Sequence, residues 1–367
     1  MVTSTHKCEV IPVKLEPHPN ADNLAVCKVY NYRVCVNKND WKDGDLGAYV
    51  VPDSLVDTSR PEFSFLGKNN RIRVKKLRGV PSQGLLVKAP EGSQPGDDVA
   101  SLLGVTRYNP PEPGSPGKPG LFLGGETESG PPNLWCPKYD LESWYRYGHV
   151  FRDGEPVVAT EKLHGAGAKY TWKDGRLYCG SRNEWKRQYP SYSRVTMESL
   201  VPKVGEERAR EILDRIHNKP VQENLWWKVI ARYPDVVAFL QAHEGLILYG
   251  EVFGQVQDLK YGAKPGECFF AAFDLWDSHR GQFLDWVEFK NLCNQGIVPY
   301  VPFLGSFPYD RAAVEKLIGG DSYEAAQRGI TQLREGIVIK PLRERYHEDC
   351  GRVALKAVSD DYLERAK

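Results

Sequence analysis

Residues 109–120 read Asn-Pro-Pro-Glu-Pro-Gly-Ser-Pro-Gly-Lys-Pro-Gly, and residues 124–132 read Gly-Gly-Glu-Thr-Glu-Ser-Gly-Pro-Pro. Proline lacks a backbone donor, and glycine loses the most conformational freedom on ordering, so neither stretch can build a helix or a strand. The chain is thus divided before it folds. Residues 1–105 form one unit, 106–140 an interdomain linker and 141–367 a second unit. A chain of 367 residues is long enough to give each unit its own core.

Composition is that of a soluble globular protein, with 41% hydrophobic and 26% charged residues. No apolar stretch approaches the roughly 18 residues a membrane span needs, and the polar start Met1-Val-Thr-Ser-Thr-His-Lys is unlike a signal peptide. The reading is a cytoplasmic protein with no membrane partner. A net charge of +1 gives no overall pull toward a polyanion, so any such partner must be met by local basic patches. The eight cysteines form no C-x-x-C pair and lie mostly in apolar surroundings, which favours reduced core thiols over disulfides or zinc.

Residues 8–105 are strand-rich. Cys8-Glu-Val-Ile-Pro-Val-Lys-Leu, Leu24-Ala-Val-Cys-Lys-Val-Tyr, Tyr32-Arg-Val-Cys-Val, Gly47-Ala-Tyr-Val-Val and Gly84-Leu-Leu-Val alternate or run apolar between turn formers. Five or so short strands without a long helix predict a small OB-type β-barrel. From Lys68 to Arg78, six of eleven residues are basic. Period-2 alternation places Arg71, Arg73 and Lys75 on one face, beside Lys76 and Arg78, as a ridge suited to a phosphate backbone. A solvated edge strand charged against aggregation would look the same.

The second unit mixes helices with strands. Helical spacing covers Glu207–His217 and, broken at Pro234, Leu225–His243. The predicted class is α+β, with antiparallel sheets and flanking helices. Several apolar runs carry one charged residue: Glu251 after Leu246-Ile-Leu-Tyr-Gly, Asp274 after Phe269-Phe-Ala-Ala-Phe, Glu335 before Gly-Ile-Val-Ile, Lys340 after it, and Lys356 within Val353-Ala-Leu-Lys. A single buried charge is more often a structural pair than a site, but five of both signs indicate a shared polar cleft. At its mouth stands Lys162, where Val157-Val-Ala-Thr ends and Gly165 and Gly167 force a turn. Alone, that lysine could be a nucleophile, a phosphate contact or a solvated charge.

The order of these segments carries a resemblance. Lys162-Leu-His-Gly, Ser181-Arg-Asn-Glu, Tyr249-Gly-Glu-Val-Phe-Gly, Phe269-Phe-Ala-Ala-Phe-Asp, Glu335-Gly-Ile-Val-Ile-Lys and Leu355-Lys-Ala-Val resemble the ordered motifs of covalent ligases and mRNA capping enzymes. His164 after the lysine and a basic OB-like unit ahead of the catalytic one are similar to nick-sealing RNA ligases of the Deinococcus–Naegleria type. His18-Pro-Asn-Ala-Asp-Asn-Leu-Ala-Val-Cys-Lys-Val separately resembles tRNA-binding OB modules of aminoacyl-tRNA synthetases.

The resemblance implies ATP-dependent joining of RNA 3′-hydroxyl and 5′-phosphate ends in nicked duplexes, by a monomer. Lys162 would attack the α-phosphorus of ATP. A free lysine has a pKa of about 10.4, so neighbouring cations must help it lose its proton. Lys340 and Lys356 would lie against the α-phosphate, and Arg182 would contact the nucleotide. Glu251 matches the ribose-hydroxyl position and, with Glu335, the carboxylates that hold Mg²⁺ or Mn²⁺. Phe273 would stack on adenine with Asp274 beside it, and Glu161 would read the adenine amino group. Leu163, His164 and Gly165 would complete the nucleotide-binding turn, and Arg71, Arg73, Lys75, Lys76 and Arg78 would contact RNA. Gly167 and Val358 depart from relatives that carry asparagine and a second lysine there. A DNA ligase, a GTP-using capping enzyme and a non-catalytic OB-fold RNA-binding protein are the alternative readings.

Overall fold

The computed structural model describes residues 6–108, 125–191, 195–218 and 221–365. Residues 109–124 of the Pro/Gly-rich linker predicted over 106–140 lie outside these residues. Its later part does not stand apart from the fold: Thr127–Glu128 pairs with Trp185–Lys186, and Tyr139 and Asp140 bond to the sheet beyond.

In the amino-terminal third, the predicted strands form at Cys8–Pro12, Leu24–Val29, Tyr32–Asn37, Leu46–Val50 and Leu85–Lys88. They do not close into the expected barrel. Cys8–Pro12, Leu46–Val50 and Leu85–Lys88 make one antiparallel sheet, and Leu15–Pro17, Leu24–Val29 and Tyr32–Asn37 make another. The chain between them cannot complete the ring. Lys75–Leu77 and Val80–Ser82 are three-residue strands, and Pro12 and Pro81 withhold donors that longer ladders would need. Val10, Ala48, Val50 and Phe63 anchor one core cluster and Cys27, Val34 and Tyr49 another, all almost wholly buried.

The remainder is built on two sheets. A seven-stranded sheet has as its middle strands Arg176–Ser181, Gly165–Lys173, Leu246–Gly254 and Cys268–Asp277. A five-stranded sheet runs Glu142–Ser143, Leu355–Val358, Gly336–Pro341, Pro156–Lys162, Phe303–Pro308. The pairings are antiparallel except Glu142–Ser143 with Leu355–Val358. Glu206–Asn218 is the predicted amphipathic helix, and Pro234 starts a second helix after Leu225–Ile230 because its fixed φ suits a first turn. Helices Met197–Val204, Trp286–Gln295 and Arg311–Ile318 were not anticipated. No described helix is long and apolar enough to cross a membrane. All eight cysteines are free, five of them buried.

The two parts meet through polar contacts. Arg146 Nη2 lies 2.5 Å from Glu9 Oε2 with both side chains largely buried, and the Tyr32 hydroxyl donates to Ser143 Oγ at 2.8 Å. The carboxy-terminal helix Asp360–Arg365 bridges back, Asp360 accepting from Gln83 (2.7 Å) and Arg33 (3.2 Å) and Glu364 from Lys76 (3.2 Å).

Candidate active site

The apolar run Val157-Val-Ala lies in an interior strand of the five-stranded sheet, each residue with 0% exposure, and so fixes where its polar end emerges. That end is Lys162, opposite Gly336. Three residues later Gly165 opens a strand of the seven-stranded sheet opposite Phe253. A Cβ on Gly165 would fall 2.1 Å from the Val252 carbonyl oxygen, and one on Gly336 would fall 2.1 Å from that of Ala357. Only glycine lets the backbones approach this closely where the two sheets meet under the lysine.

Lys162 Nζ donates to Glu335 Oε1 at 2.7 Å. Glu335 Oε2 is buried with no hydrogen-bond partner and stands 3.6 Å from His164 Nδ1. Burial pushes the Glu335 carboxyl up, but Lys162 and His164 outweigh it and hold the group below the usual carboxylate range. Burial likewise works to lower the His164 pKa, and the Glu335 and Asp258 carboxylates more than reverse this. Asp258 Oδ1 is 2.5 Å from His164 Nε2. Glu251, opposite Gly167, is pushed up to about 7 by burial, with Lys162 opposing and Glu335 reinforcing. Lys356 has no hydrogen bond or ion pair among the described residues, and burial followed by the nearby Lys162 charge lowers its pKa.

Asp274 centres a second network. Fully buried, it accepts from the Tyr139 hydroxyl at 2.6 Å, Lys340 Nζ at 2.6 Å and Arg352 Nη2 at 2.8 Å. Burial alone would raise its pKa, and Arg352 and Lys340 lower it instead. Arg352 also bonds Glu344 and lies over the Phe283 ring, 3.7 Å from its centroid. Lys340 pairs with Asp274 and lines the same cleft as Lys162 and Lys356. Asp274 has no surface to offer a base; it ties down the mid-strand segment from which Phe273 faces the cleft, 4.6 Å from Tyr139 between ring centroids.

Glu161 is buried at the cleft, its Oε2 accepting the Glu324 backbone N–H at 3.1 Å and its Oε1 without a hydrogen-bond partner. The Leu163 side chain packs with Phe253, Leu259 and Tyr261 in the core. Arg182 stands at the rim, 2.6 Å from Asp140 Oδ2.

The cleft holds about 1360 Å³ and is lined by Lys162, Glu251, Phe273, Glu335 and Lys356, with Arg71 and Arg73 entering from the amino-terminal part. Along the basic run, Ile72 and Val74 are buried while Arg73 and Lys75 are exposed, as alternation predicts. Only Lys75–Leu77 is a strand; Arg71 makes an isolated bridge to Leu55 and pairs with Asp53 at 2.7 Å. Lys76 is tied to Glu364, and Arg78 stands exposed in the turn with φ 48°.

Sequence reasoning missed Tyr139, Asp258, Tyr261, Arg352 and Tyr362. Tyr139 fell in the assigned linker, and Arg352 read as an ordinary strand residue. The one usable signal was Asp258, in the glycine-bounded segment that follows the Glu251 strand.

Two sheets meeting at a lysine, with carboxylates and a second lysine around one cleft, form the site of a nucleotidyltransferase. The chain belongs to the RNA ligase family, whose family model matches residues 155–358. An OB-fold domain model matches residues 9–89. Among solved structures, the fold is similar to that of a Naegleria gruberi RNA ligase lysine-to-alanine mutant with ATP and Mn, at TM-score 0.73 and 23% identity over 97% of this chain and 98% of that one. The same Naegleria gruberi enzyme with PPi gives TM-score 0.72 and 24% identity over 98% of each chain. The phenylalanine–tRNA ligase beta subunit of Symbiobacterium thermophilum is 35% identical over 135 residues, which are 36% of this chain and 13% of that protein.

Proposed function

We propose that the protein is an ATP-dependent RNA ligase that seals 3′-hydroxyl/5′-phosphate nicks in duplexes through a lysyl-adenylate at Lys162, acting as a monomer. The observation that carries this is Lys162 held at 2.7 Å by Glu335 at the floor of a cleft that Lys356 and Glu251 also face. Lys162 Nζ attacks the α-phosphorus of ATP, the bond to the β-phosphate oxygen breaks, and pyrophosphate leaves. Lys356, without a protein anion of its own, neutralises charge on the α-phosphate as it builds up. Phe273 stacks on the adenine, Arg182 at the rim meets the nucleotide, and Glu251 receives the ribose hydroxyl. Lys340 and Asp274, a buried pair on the same cleft, place Phe273. AMP then passes to the RNA 5′-phosphate, and the adjoining 3′-hydroxyl attacks that phosphorus and displaces AMP.

The unpartnered Glu335 Oε2 and the oxygen-only character of Glu335 and Glu251 fit Mg²⁺ or Mn²⁺. No group of three or more protein ligands gathers among the described residues, so phosphate and water oxygens would complete the shell. When bound, the ion supplies charge neutralisation and orientation of the phosphates.

We assign residues 1–105 to a nucleic-acid-binding unit, 106–140 to a connecting segment and 141–367 to the catalytic unit. Arg71, Arg73, Lys75, Lys76 and Arg78 then grip the RNA backbone. In this reading Lys76 must exchange Glu364 for phosphate, and Arg71 must exchange Asp53. The cleft is continuous with Arg71 and Arg73, which supports a substrate spanning both units. A matched pair of nicks with ribose or deoxyribose 3′ ends tests the substrate. Sealing of the ribose nick alone is expected, and equal sealing of both would make the protein a general polynucleotide ligase.

A further inference from the structure

We propose that Asp258 is a positioning residue for the chemistry at Lys162, holding the His164 ring in one orientation against Glu335; the proposal rests on the reading that Lys162 takes the nucleotide. The ring has a carboxylate facing each nitrogen, only one of them close. Asp258 Oδ1 lies 2.5 Å from Nε2, and Glu335 Oε2 lies 3.6 Å from Nδ1. The Tyr362 hydroxyl approaches from the side, 3.2–3.3 Å from both nitrogens, and therefore cannot choose between them. The ring torsion of histidine is broad, so a partner on one nitrogen is what fixes which nitrogen faces the other way. Glu335 is bonded to Lys162 through Oε1 and its Oε2 stands beyond hydrogen-bond length from the ring, so the close carboxylate contact that sets the ring is the one from Asp258.

The loop that carries Asp258 is built to hold still. It follows the Leu246–Gly254 strand, and Gln255 is tied at both ends, its N–H to the Glu267 carbonyl at 2.9 Å and its Nε2 to the Ala263 carbonyl at 2.8 Å. Leu259 is wholly buried. Tyr261 sits at φ 51°, in the left-handed region a tyrosine rarely enters. Gln332 Oε1 accepts its N–H at 2.9 Å, and its own hydroxyl accepts the His164 backbone N–H at 2.7 Å. One loop therefore fixes both the backbone and the ring of His164. The labour is divided: Tyr261 is buried and structural, whereas the Asp258 side chain is 49% exposed, so removing it disturbs orientation and leaves the core intact.

Single-turnover label transfer from α-labelled ATP, at saturating and subsaturating ATP, tests this with Asp258→Ala and Asp258→Asn. A misplacement of about 1 Å in a reacting site can cost on the order of 100-fold. We expect Asp258→Ala to lose roughly 10- to 100-fold in rate at an unchanged half-saturating ATP concentration. Asp258→Asn, which keeps an oxygen acceptor, should recover most of it. The downfield proton resonance of the His164 imidazole, identified by its loss in His164→Ala, should disappear in Asp258→Ala and persist in Asp258→Asn. A wild-type rate in Asp258→Ala, or equal loss in both variants, would overturn the proposal. A wild-type protein that takes no label would overturn the ligase reading instead. The resonance would then decide the Asp258 hold by itself, an unchanged signal in Asp258→Ala refuting it.

Discussion

At the scale of single residues, the cleft is organised by two carboxylates with opposite duties. Glu335 keeps one oxygen on Lys162 and one without a partner, while Asp274 spends all its capacity on Tyr139, Lys340 and Arg352. Removing the charge of Asp274 takes the shorter of two carboxylate contacts from the buried Lys340 and leaves Arg352 with Glu344 alone. Breaking a buried pair in this way costs about 3–5 kcal/mol. We expect Asp274→Asn to lose that much in urea unfolding at neutral pH. The pH dependence follows from the sign of the shift. Because the native Asp274 pKa is lowered, its contribution is complete above the unfolded value of about 3.9 and fades only as pH falls through the lower native value. The wild-type and Asp274→Asn stability curves should therefore converge in acid, and parallel curves would contradict the assignment. The identities of Lys162, Glu251, Glu335 and Lys356 were legible because each interrupts or ends an apolar run. The protein partners of Lys340 and Glu161 were not. A charged residue in a strand looks the same in sequence whether it faces a ligand or a partner such as Asp274, distant along the chain.

At the scale of elements, the decisive feature is the passage of one strand through a tight turn into a second sheet. Pro156–Lys162 and Gly165–Lys173 were readable from their apolar runs, and the glycines marked the turn. Gly165→Ala would place a methyl group 2.1 Å from the Val252 carbonyl oxygen, so the strands must part. Overpacking of this kind costs about 1–3 kcal/mol. Because the displacement falls three residues from Lys162, label transfer should fall further than stability alone explains. A variant with wild-type stability and labelling would show that the turn tolerates a side chain. Helices at 197–204, 286–295 and 311–318 escaped the sequence reading for an identifiable reason. Met197–Val204 contains Pro202, and Trp286–Gln295 and Arg311–Ile318 run two to three turns, too short for the 3.6-residue period to repeat clearly. The open amino-terminal sheets differ from the expected barrel because strand propensity predicts strands, not closure. Closure depends on the short Lys75–Leu77 and Val80–Ser82 pair.

At the scale of the whole molecule, an amino-terminal part that carries the basic run is pinned to a catalytic part by Glu9–Arg146 and by the helix Asp360–Arg365, and a cleft runs between them. Nothing in composition foretold this, since a net charge of +1 conceals a local run of six basic residues in eleven. The order of the motifs carried the family, and the geometry supplied what order could not, namely which of the charged residues share one space. The central claim is that this space serves covalent transfer of a nucleotide to Lys162. The direct measurement is transfer of label from α-labelled ATP, beside α-labelled GTP, to protein first stripped of any bound AMP with pyrophosphate, for wild type and Lys162→Ala. The account predicts an acid-stable adduct from ATP alone that is absent in Lys162→Ala. Label that persists in the variant, or no adduct on the wild type, would contradict it.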